Sequence, residues 1–292
     1  MTACHDHDRS DLKDETLTDD LDRYAGFATL QFDRPSPHVL RMTLNNPAQM
    51  NALNAALHHD IVGALKTIEA DAATRVTIVT GAGRAFCAGG AFDAMPTDAE
   101  PDRNEQFCDG FGDARELVAS LIATTKPIIS AINGPAVGAG LAIALLADIP
   151  IAAKTAKLFD GHLRIGVAPG DHAAMIWPLL CGMAKAKYYL MTNEPLTGEE
   201  AERINLVALA VDAEELQERA LAVASRIAAT APTATQMTKY ILNHFLRQNQ
   251  TIFDLSAALE MVNFGSRENK AAMEAFTTKK APDFGPGAGV FR

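Results

Sequence analysis

The sequence predicts an α/β fold with a mainly parallel sheet. Short apolar runs of strand length alternate with stretches of helical periodicity over residues 25–153, which is the order of a sheet built by crossover connections. Residues 127–147 carry no charge, but Asn133-Gly134-Pro135 divides them into a strand and a small-residue helix that starts near Gly138. A membrane-spanning helix tolerates such a break poorly, so we expect buried core here and no membrane partner.

The other elements are predicted from local periodicity in chain order. Alternating apolar and polar residues indicate two strands, over 25–33 and 38–44, joined by a turn at 34–37. Apolar residues at helical spacing predict a helix from 51 to 69. Further strands are expected over 75–80, 127–132 and 148–153. Further helices are expected near 113–124, 198–204, 213–230, 233–247 and 252–276.

Two glycine-rich segments carry the first signs of chemistry. Residues 81–90 follow a strand but contain neither GxGxxG opening a helix nor GxxxxGK[ST], so a phosphate loop is a weak interpretation. Backbone N–H groups that converge on a carbonyl oxygen require the same glycines and no lysine. The turn before the Gly138 helix leaves N–H groups uncovered where negative charge is favoured, and we predict that it forms half of an oxyanion hole.

Residues 159–172 form the second informative stretch. Pro169-Gly170 predicts a turn, and Asp171 is well placed as the N-cap of a helix that runs through Trp177. Residues 93–113 are polar and rich in Gly and Asp, as in a mobile loop. Two histidines, His58 and His59, lie within the first long helix. We expect one at the edge of the core and one in solvent, and their roles stay open.

Composition restricts the class of partner. The net charge is −10, and residues 1–22 carry eight acidic against two basic residues. An acidic chain without a basic stripe argues against nucleic acid and anionic membranes as partners. The cysteines Cys4, Cys87, Cys108 and Cys181 are scattered without a CxxC pair, and the N-terminus lacks a signal-peptide pattern. We therefore expect a reduced, cytoplasmic location.

Three motifs in order resemble the enoyl-CoA hydratase/isomerase (crotonase) superfamily over roughly residues 25–275. They are Leu44-Asn45-Asn46-Pro47 with Asn51-Ala52-Leu53, then Ala85-Phe86-Cys87-Ala88-Gly89-Gly90, and then 127–141 with Ala147-Asp148-Ile149. The resemblance implies an α/β spiral of ββα repeats, a C-terminal helical trimerisation region, and a homotrimer or dimer of trimers. It also implies an oxyanion hole formed by the N–H groups of Gly90 and Ala139.

Composition and the resemblance together divide the chain into four parts. We expect a disordered acidic tail over 1–22, a crotonase-like core over 23–205, a C-terminal helical region over 206–281 and a flexible tail over 282–292.

The sequence departs from the family at two positions. Hydratases of the superfamily place glutamates where this chain has Ala142 and His162. The run from Asp160-Gly161-His162 to Asp171 and Trp177-Pro178 is similar to the branch that contains 6-oxocamphor hydrolase and related β-diketone hydrolases. In that branch a His/Asp pair activates water, which implies His162 as base and Asp171 as its orienter. A late glutamate of the branch maps to Glu260.

The favoured hypothesis is therefore hydrolysis of a carbon–carbon bond in a 1,3-diketone, a small-molecule carbonyl substrate, with neither metal nor cofactor. Phe92 and Trp177 are candidate walls of the substrate pocket, although ordinary core packing is an equal alternative for each. One rival is an enzyme acting on an acyl-CoA thioester, where CoA is part of the substrate and Arg84 is a possible contact. The other rival is a non-catalytic module that keeps only the fold.

Overall fold

The computed structural model describes residues 21–91 and 103–285, with backbone alone for 103–107. Phe92, residues 1–20 of the predicted acidic tail and residues 286–292 of the predicted C-terminal tail lie outside the described residues.

Within the described residues the strands and helices alternate through the first half of the chain, and helices dominate the second. The strands are β1 (Leu30–Ser36), β2 (Val39–Leu44), β3 (Val76–Gly81), β4 (Ile128–Ile132), β5 (Ala136–Val137), β6 (Ile149–Ala153), β7 (Lys157–Phe159), β8 (Leu196–Thr197) and β9 (Leu209–Val211). The helices are α1 (Ala55–Ala70), α2 (Arg103–Ala123), α3 (Ala139–Leu146), α4 (Ala173–Thr192), α5 (Gly198–Arg203), α6 (Leu216–Ala228), α7 (Pro232–Gln248), α8 (Gln250–Asn263) and α9 (Arg267–Thr278).

The main sheet is mostly parallel, as predicted. Its strand order is β1-β2-β3-β4-β6-β9, and only the hairpin pair β1 and β2 is antiparallel. A small second sheet has the order β5-β7-β8. Because parallel strands end at the same edge, the loops that follow β3 and β4 meet at one side of the main sheet. The α/β fold class and the C-terminal helical region are confirmed.

The uncharged stretch is divided as its glycines and prolines predict. Strand β4 ends at Ile132, and α3 begins at Ala139 after the short strand β5. Helix α3 is apolar on every side and is buried from Gly140 to Leu146, which places it inside the protein core. Among the described residues, every helix is too short or too polar to cross a lipid bilayer.

Strand β1 begins at Leu30 rather than at 25 and extends into the predicted turn, and α1 begins at Ala55 rather than at 51. Three further boundary predictions are wrong. The predicted loop over 93–113 is helical from Arg103 onward. The first turns of α2 are polar, and its buried apolar face, which includes Leu117, Val118 and Leu121, comes only later in the helix. The helix predicted over 252–276 is two helices. Gly265 adopts a φ of 73°, and Ser266 then caps α9 through the N–H of Asn269.

The third of these wrong boundaries concerns Asp171, which is not a helix N-cap. Helix α4 begins at Ala173, its N-cap residue is His172, and no side chain caps it. The carboxylate of Asp171 is instead engaged by the ring of His172. Asp171, which the sequence predicts as a helix cap, therefore belongs to the candidate site.

Candidate active site

The Asn51-Ala52-Leu53 motif holds the glycine-rich loop after β3. The buried amide of Asn51 donates to the carbonyls of Ala82, Ala85 and Phe86. The N–H of Leu53 donates to Gly89 over 2.7 Å, and the N–H of Ala91 donates back to Leu53 over 2.9 Å. These bonds fix the backbone on both sides of Gly90.

The same loop packs against the turn that opens α3. The N–H of Val137 donates to the carbonyl of Cys87 over 3.1 Å. A Cβ at Gly140 would lie 2.4 Å from that carbonyl oxygen, so only glycine permits the approach. Gly138 turns the chain with a φ of 47°. The two segments that sequence motifs single out are therefore in direct contact.

The predicted oxyanion donors lie in these two segments. In the hydrogen bonds of the described residues, the N–H groups of Gly90 and Ala139 donate to no acceptor. Ala139 is the first residue of α3, where the helix dipole favours negative charge. Backbone N–H groups are the type of donor that stabilises a carbonyl oxygen as it becomes negative during a reaction.

His162 lies beside this turn. A Cβ at Gly138 would be 3.6 Å from His162 Cε1. The imidazole is in a short 3-10 turn that follows Gly161, whose φ is 88°, and the residue is 8% exposed. Its Nδ1 bonds to Asp160 Oδ1 over 2.8 Å, and its Nε2 lies 3.2 Å from Glu260 Oε1. Both ring nitrogens of His162 thus face carboxylates.

Asp171 approaches His162 without reaching hydrogen-bond distance. Its Oδ2 is 3.8 Å from His162 Nε2. The resemblance implies that Asp171 orients His162, whereas in the structure the hydrogen bond that holds the ring at Nδ1 is made with Asp160. The adjacency of Asp160, Gly161 and His162 in the sequence is the signal that could have indicated this pair.

Glu260 reaches the site from the C-terminal helices. It lies on α8 and is 7% exposed. A Cβ at Gly170 would meet Glu260 Oε2 at 2.2 Å, so the glycine of the Pro169-Gly170 turn makes room for this carboxylate. The structure therefore brings together His162, Asp171 and Glu260, which lie far apart in the sequence.

A second histidine, which the sequence motifs did not indicate as functional, lies behind Asp171. His172 is fully buried, and its Nδ1 is 2.5 Å from Asp171 Oδ1. Its Nε2 accepts the indole N–H of Trp177 over 3.2 Å. Trp177 is also fully buried, so it supports His172 from within the core.

Charge sets the protonation of the site. Burial lowers the pKa of His162, but the charges of Asp160, Asp171 and Glu260 outweigh burial and hold the pKa well above 6.5. Burial raises the pKa of Glu260, although His162 opposes this. Burial also acts to raise the pKa of Asp171, but His172 and His162 lower it. At neutral pH the site therefore holds an imidazolium among carboxylates.

Asp160, Asp171 and His172 can offer ligand atoms within 4.8 Å of one another. Both ring nitrogens of His172 are already hydrogen-bonded, however, and the His162 imidazolium supplies positive charge beside the carboxylates. The donor set therefore fits a held imidazolium better than a metal ion.

The other candidate residues fall outside this cluster. His58 is buried, and its Nε2 bonds to the carbonyl of Asp113 over 2.9 Å, which is a packing role. His59 and Arg84 are exposed. Ala142 is buried in α3, where hydratases of the superfamily carry a glutamate.

Comparison with known proteins identifies the family. The family model described as enoyl-CoA hydratase/isomerase matches residues 34–287, and the chain belongs to this family. It is 32% identical over 255 residues to 2,3-dehydroadipyl-CoA hydratase of Escherichia coli (strain K12), covering 84% of this chain and 94% of that protein. It is 30% identical over 253 residues to 1,2-epoxyphenylacetyl-CoA isomerase of the same organism, with the same coverage.

Solved structures agree with this assignment. An enoyl-CoA hydratase/isomerase from Mycobacterium paratuberculosis superposes with a TM-score of 0.76 at 28% identity, covering 84% of this chain and 97% of that one. One from Pseudoalteromonas atlantica T6c gives a TM-score of 0.79 at 26% identity, covering 88% and 100%. The protein is thus an enzyme of the crotonase superfamily, and enoyl-CoA hydratases and isomerases need no cofactor beyond the CoA of their substrate.

The names of these relatives match the acyl-CoA alternative. None of them names a β-diketone hydrolase, so the branch favoured on sequence motifs has no support from these relatives.

Proposed function

We propose that the protein acts on an acyl-CoA thioester, as an enzyme of the hydratase or isomerase type. One observation carries the proposal: His162 Nε2 lies 3.2 Å from Glu260 Oε1 in a buried site beside the Gly138–Ala139 turn. An acid and a base thus lie next to the turn that carries the Ala139 N–H. The names of the CoA-dependent relatives support the same substrate class.

The chemistry begins with a proton. Glu260 is the base in this proposal, because burial brings its pKa closer to neutral than that of an exposed glutamate. It takes a proton from the acyl carbon, or from a water molecule that adds to the double bond. The negative charge moves to the thioester oxygen, where the N–H groups of Gly90 and Ala139 stabilise it by about 3–4 kcal/mol each.

The second proton transfer completes the reaction. His162, protonated at rest, donates from Nε2 to the enolate carbon, and this assigns to His162 the role of acid where the family resemblance implied a base. In a hydratase the acid and base are used together. In a hydratase the proton on Glu260 Oε1 then passes to His162 Nε2, which restores both groups. In an isomerase His162 protonates a different carbon from the one that Glu260 deprotonated, and the same transfer restores both groups.

A second candidate is hydrolysis of a 1,3-diketone. The observation in its favour is that His162 and Ala142 stand at the two glutamate positions of the hydratases, while Asp171 approaches His162 to 3.8 Å. In this reaction a water molecule loses a proton to a group in the site, and the water oxygen bonds to one carbonyl carbon of the diketone. The bond to the central carbon breaks, the Gly90 and Ala139 N–H groups hold the enolate, and the proton returns to that carbon.

Turnover separates the two candidates. We would assay crotonyl-CoA, a 3-enoyl-CoA and a cyclic 1,3-diketone with the wild type, His162→Ala and Glu260→Gln. We expect turnover of a CoA thioester and a loss of about 10²-fold or more in both variants. Exposed His59→Ala is the matched control and should retain full activity.

Other results would change the assignment. Turnover of the diketone alone would establish the second candidate. Full CoA-thioester activity in both variants would refute the roles of His162 and Glu260. Absence of turnover with every substrate, together with no shift in melting temperature on adding acetyl-CoA, would favour a non-catalytic module.

A further inference from the structure

A row of hydrogen bonds runs from the protein core to the candidate site. The Trp177 indole N–H lies 3.2 Å from His172 Nε2, and His172 Nδ1 lies 2.5 Å from Asp171 Oδ1. Trp177 and His172 are both fully buried, so solvent cannot replace either bond. The row ends 3.8 Å from His162 Nε2, at Asp171 Oδ2.

The chemistry of tryptophan fixes the direction of this row. An indole nitrogen is a donor only, so His172 Nε2 must accept and carries no proton. In a neutral imidazole the proton is then on Nδ1, which donates to Asp171 Oδ1. Trp177 therefore selects the one tautomer of His172 that can hold the carboxylate.

The consequence for Asp171 is a fixed orientation. With Oδ1 bound to His172, the other oxygen is turned toward the site, where it is buried and has no hydrogen-bond partner among the described residues. A Cβ at Gly138 would lie 3.8 Å from this Oδ2. The free oxygen thus faces both His162 and the turn that carries Ala139.

We propose that Trp177 and His172 are positioning residues, which hold the Asp171 carboxylate with its Oδ2 facing His162. The proposal deepens the proposed function, because it concerns the same site and rests on that function for its kinetic consequence. Neither residue touches the reacting atoms. They act through the orientation of Asp171.

The first test requires no substrate. Nitrogen-15 NMR of histidine-labelled wild-type protein reports which ring nitrogen of His172 carries the proton, with the resonance identified by its loss in His172→Asn. We expect the Nδ1–H tautomer in the wild type and a mixture in Trp177→Phe. Trp177 is the one tryptophan of the chain, so its indole N–H resonance needs no assignment and should shift in His172→Asn.

The second test is kinetic. Trp177→Phe keeps an aromatic ring but removes the donor, and His172→Leu removes both bonds while keeping bulk. Each should lower kcat about tenfold, the rate equivalent of one hydrogen bond, and leave KM unchanged. His172→Asn keeps an N–H toward Asp171 and should restore most of kcat.

A packing control distinguishes a change in the orientation of Asp171 from a general loss of protein stability. Ile176→Val removes one buried methylene from the same helix without touching the hydrogen-bonded row, so its kcat should equal that of the wild type. An Nε2–H tautomer of His172 in the wild type would overturn the proposal, even if the variants do not fold. Wild-type kcat in both Trp177→Phe and His172→Leu would also overturn it.

The two proposals fail in different ways. If no substrate of either class is turned over, the proposed function is refuted, while the tautomer measurement still decides the orientation of Asp171.

Discussion

His162 Nδ1 and Asp160 Oδ1 lie 2.8 Å apart, although only Gly161 separates the two residues in the chain. The short distance is possible because Gly161 has a φ of 88°, which turns the backbone so that both side chains point the same way. The carboxylate therefore fixes the ring of His162 and leaves Nε2 directed at Glu260 and Asp171.

Asp160→Asn should reduce activity by about 10²-fold while preserving the shape of the site. The amide keeps the size of the side chain but removes one of the charges that hold the pKa of His162 above its ordinary value. The limb of the pH–rate profile that reports His162 should move to lower pH. Asp254→Asn, which removes a half-exposed carboxylate, is the control. An unchanged profile in Asp160→Asn would contradict the assigned role.

The stability that His162 contributes should decrease as the pH rises. A histidine whose folded pKa is raised stabilises the native state fully below its unfolded pKa of about 6.5. This contribution is lost as the pH rises through the folded value, which lies well above 6.5. Thermal unfolding of the wild type and His162→Gln should therefore differ more at about pH 6 than at about pH 9. A difference that grows toward high pH would contradict the charge arrangement.

Gly140→Ala should abolish most activity, because its Cβ would collide with Cys87 and separate the two segments that carry the oxyanion donors. Gly112→Ala is the matched control. A Cβ at Gly112 meets nothing within 4 Å, and this residue lies inside α2. The control should keep activity and gain about 0.5–1 kcal/mol in the free energy of unfolding. Assays of turnover and thermal unfolding on both variants test the contrast.

We propose that the chain assembles as a homotrimer or dimer of trimers, as the family resemblance implies. Helix α7 exposes several large apolar side chains, which are Met237, Tyr240, Ile241 and Phe245. A surface of this kind is typical of a protein–protein interface. Sedimentation should give a multiple of the 31.2 kDa chain mass, and Ile241→Glu should lower it. The control Lys66→Glu changes an exposed charge on α1. A monomeric wild type would refute the proposal.

Local sequence signals predict the inner strands of the main sheet well, but not β9 or the start of β1. Strands β3, β4 and β6 begin within one residue of the predicted positions, because dense β-branched runs bounded by Gly, Pro and Asn specify a buried strand without tertiary help. The beginning of α2 was missed, since its first turns are polar and its helical state does not show in apolar periodicity.

The site was harder to predict than the sheet. His162 was found from its position in a motif, but its Nδ1 partner was not, because a bond between residues two apart depends on the backbone angle of Gly161. His172 was missed because its role depends on Trp177 one helical turn later. The approach of Glu260 depends on the space left at Gly170, which no local pattern records.

Because Glu260 lies on α8, it is synthesised after the other residues of the candidate site. During synthesis the strands and the loops that bear Gly90 and Ala139 leave the ribosome well before α8. A nascent chain that ends before α8 carries Gly90, Ala139 and His162 but lacks Glu260, the base in the proposed function. In the proposed function the site is therefore complete only once α8 has packed against the Pro169-Gly170 turn.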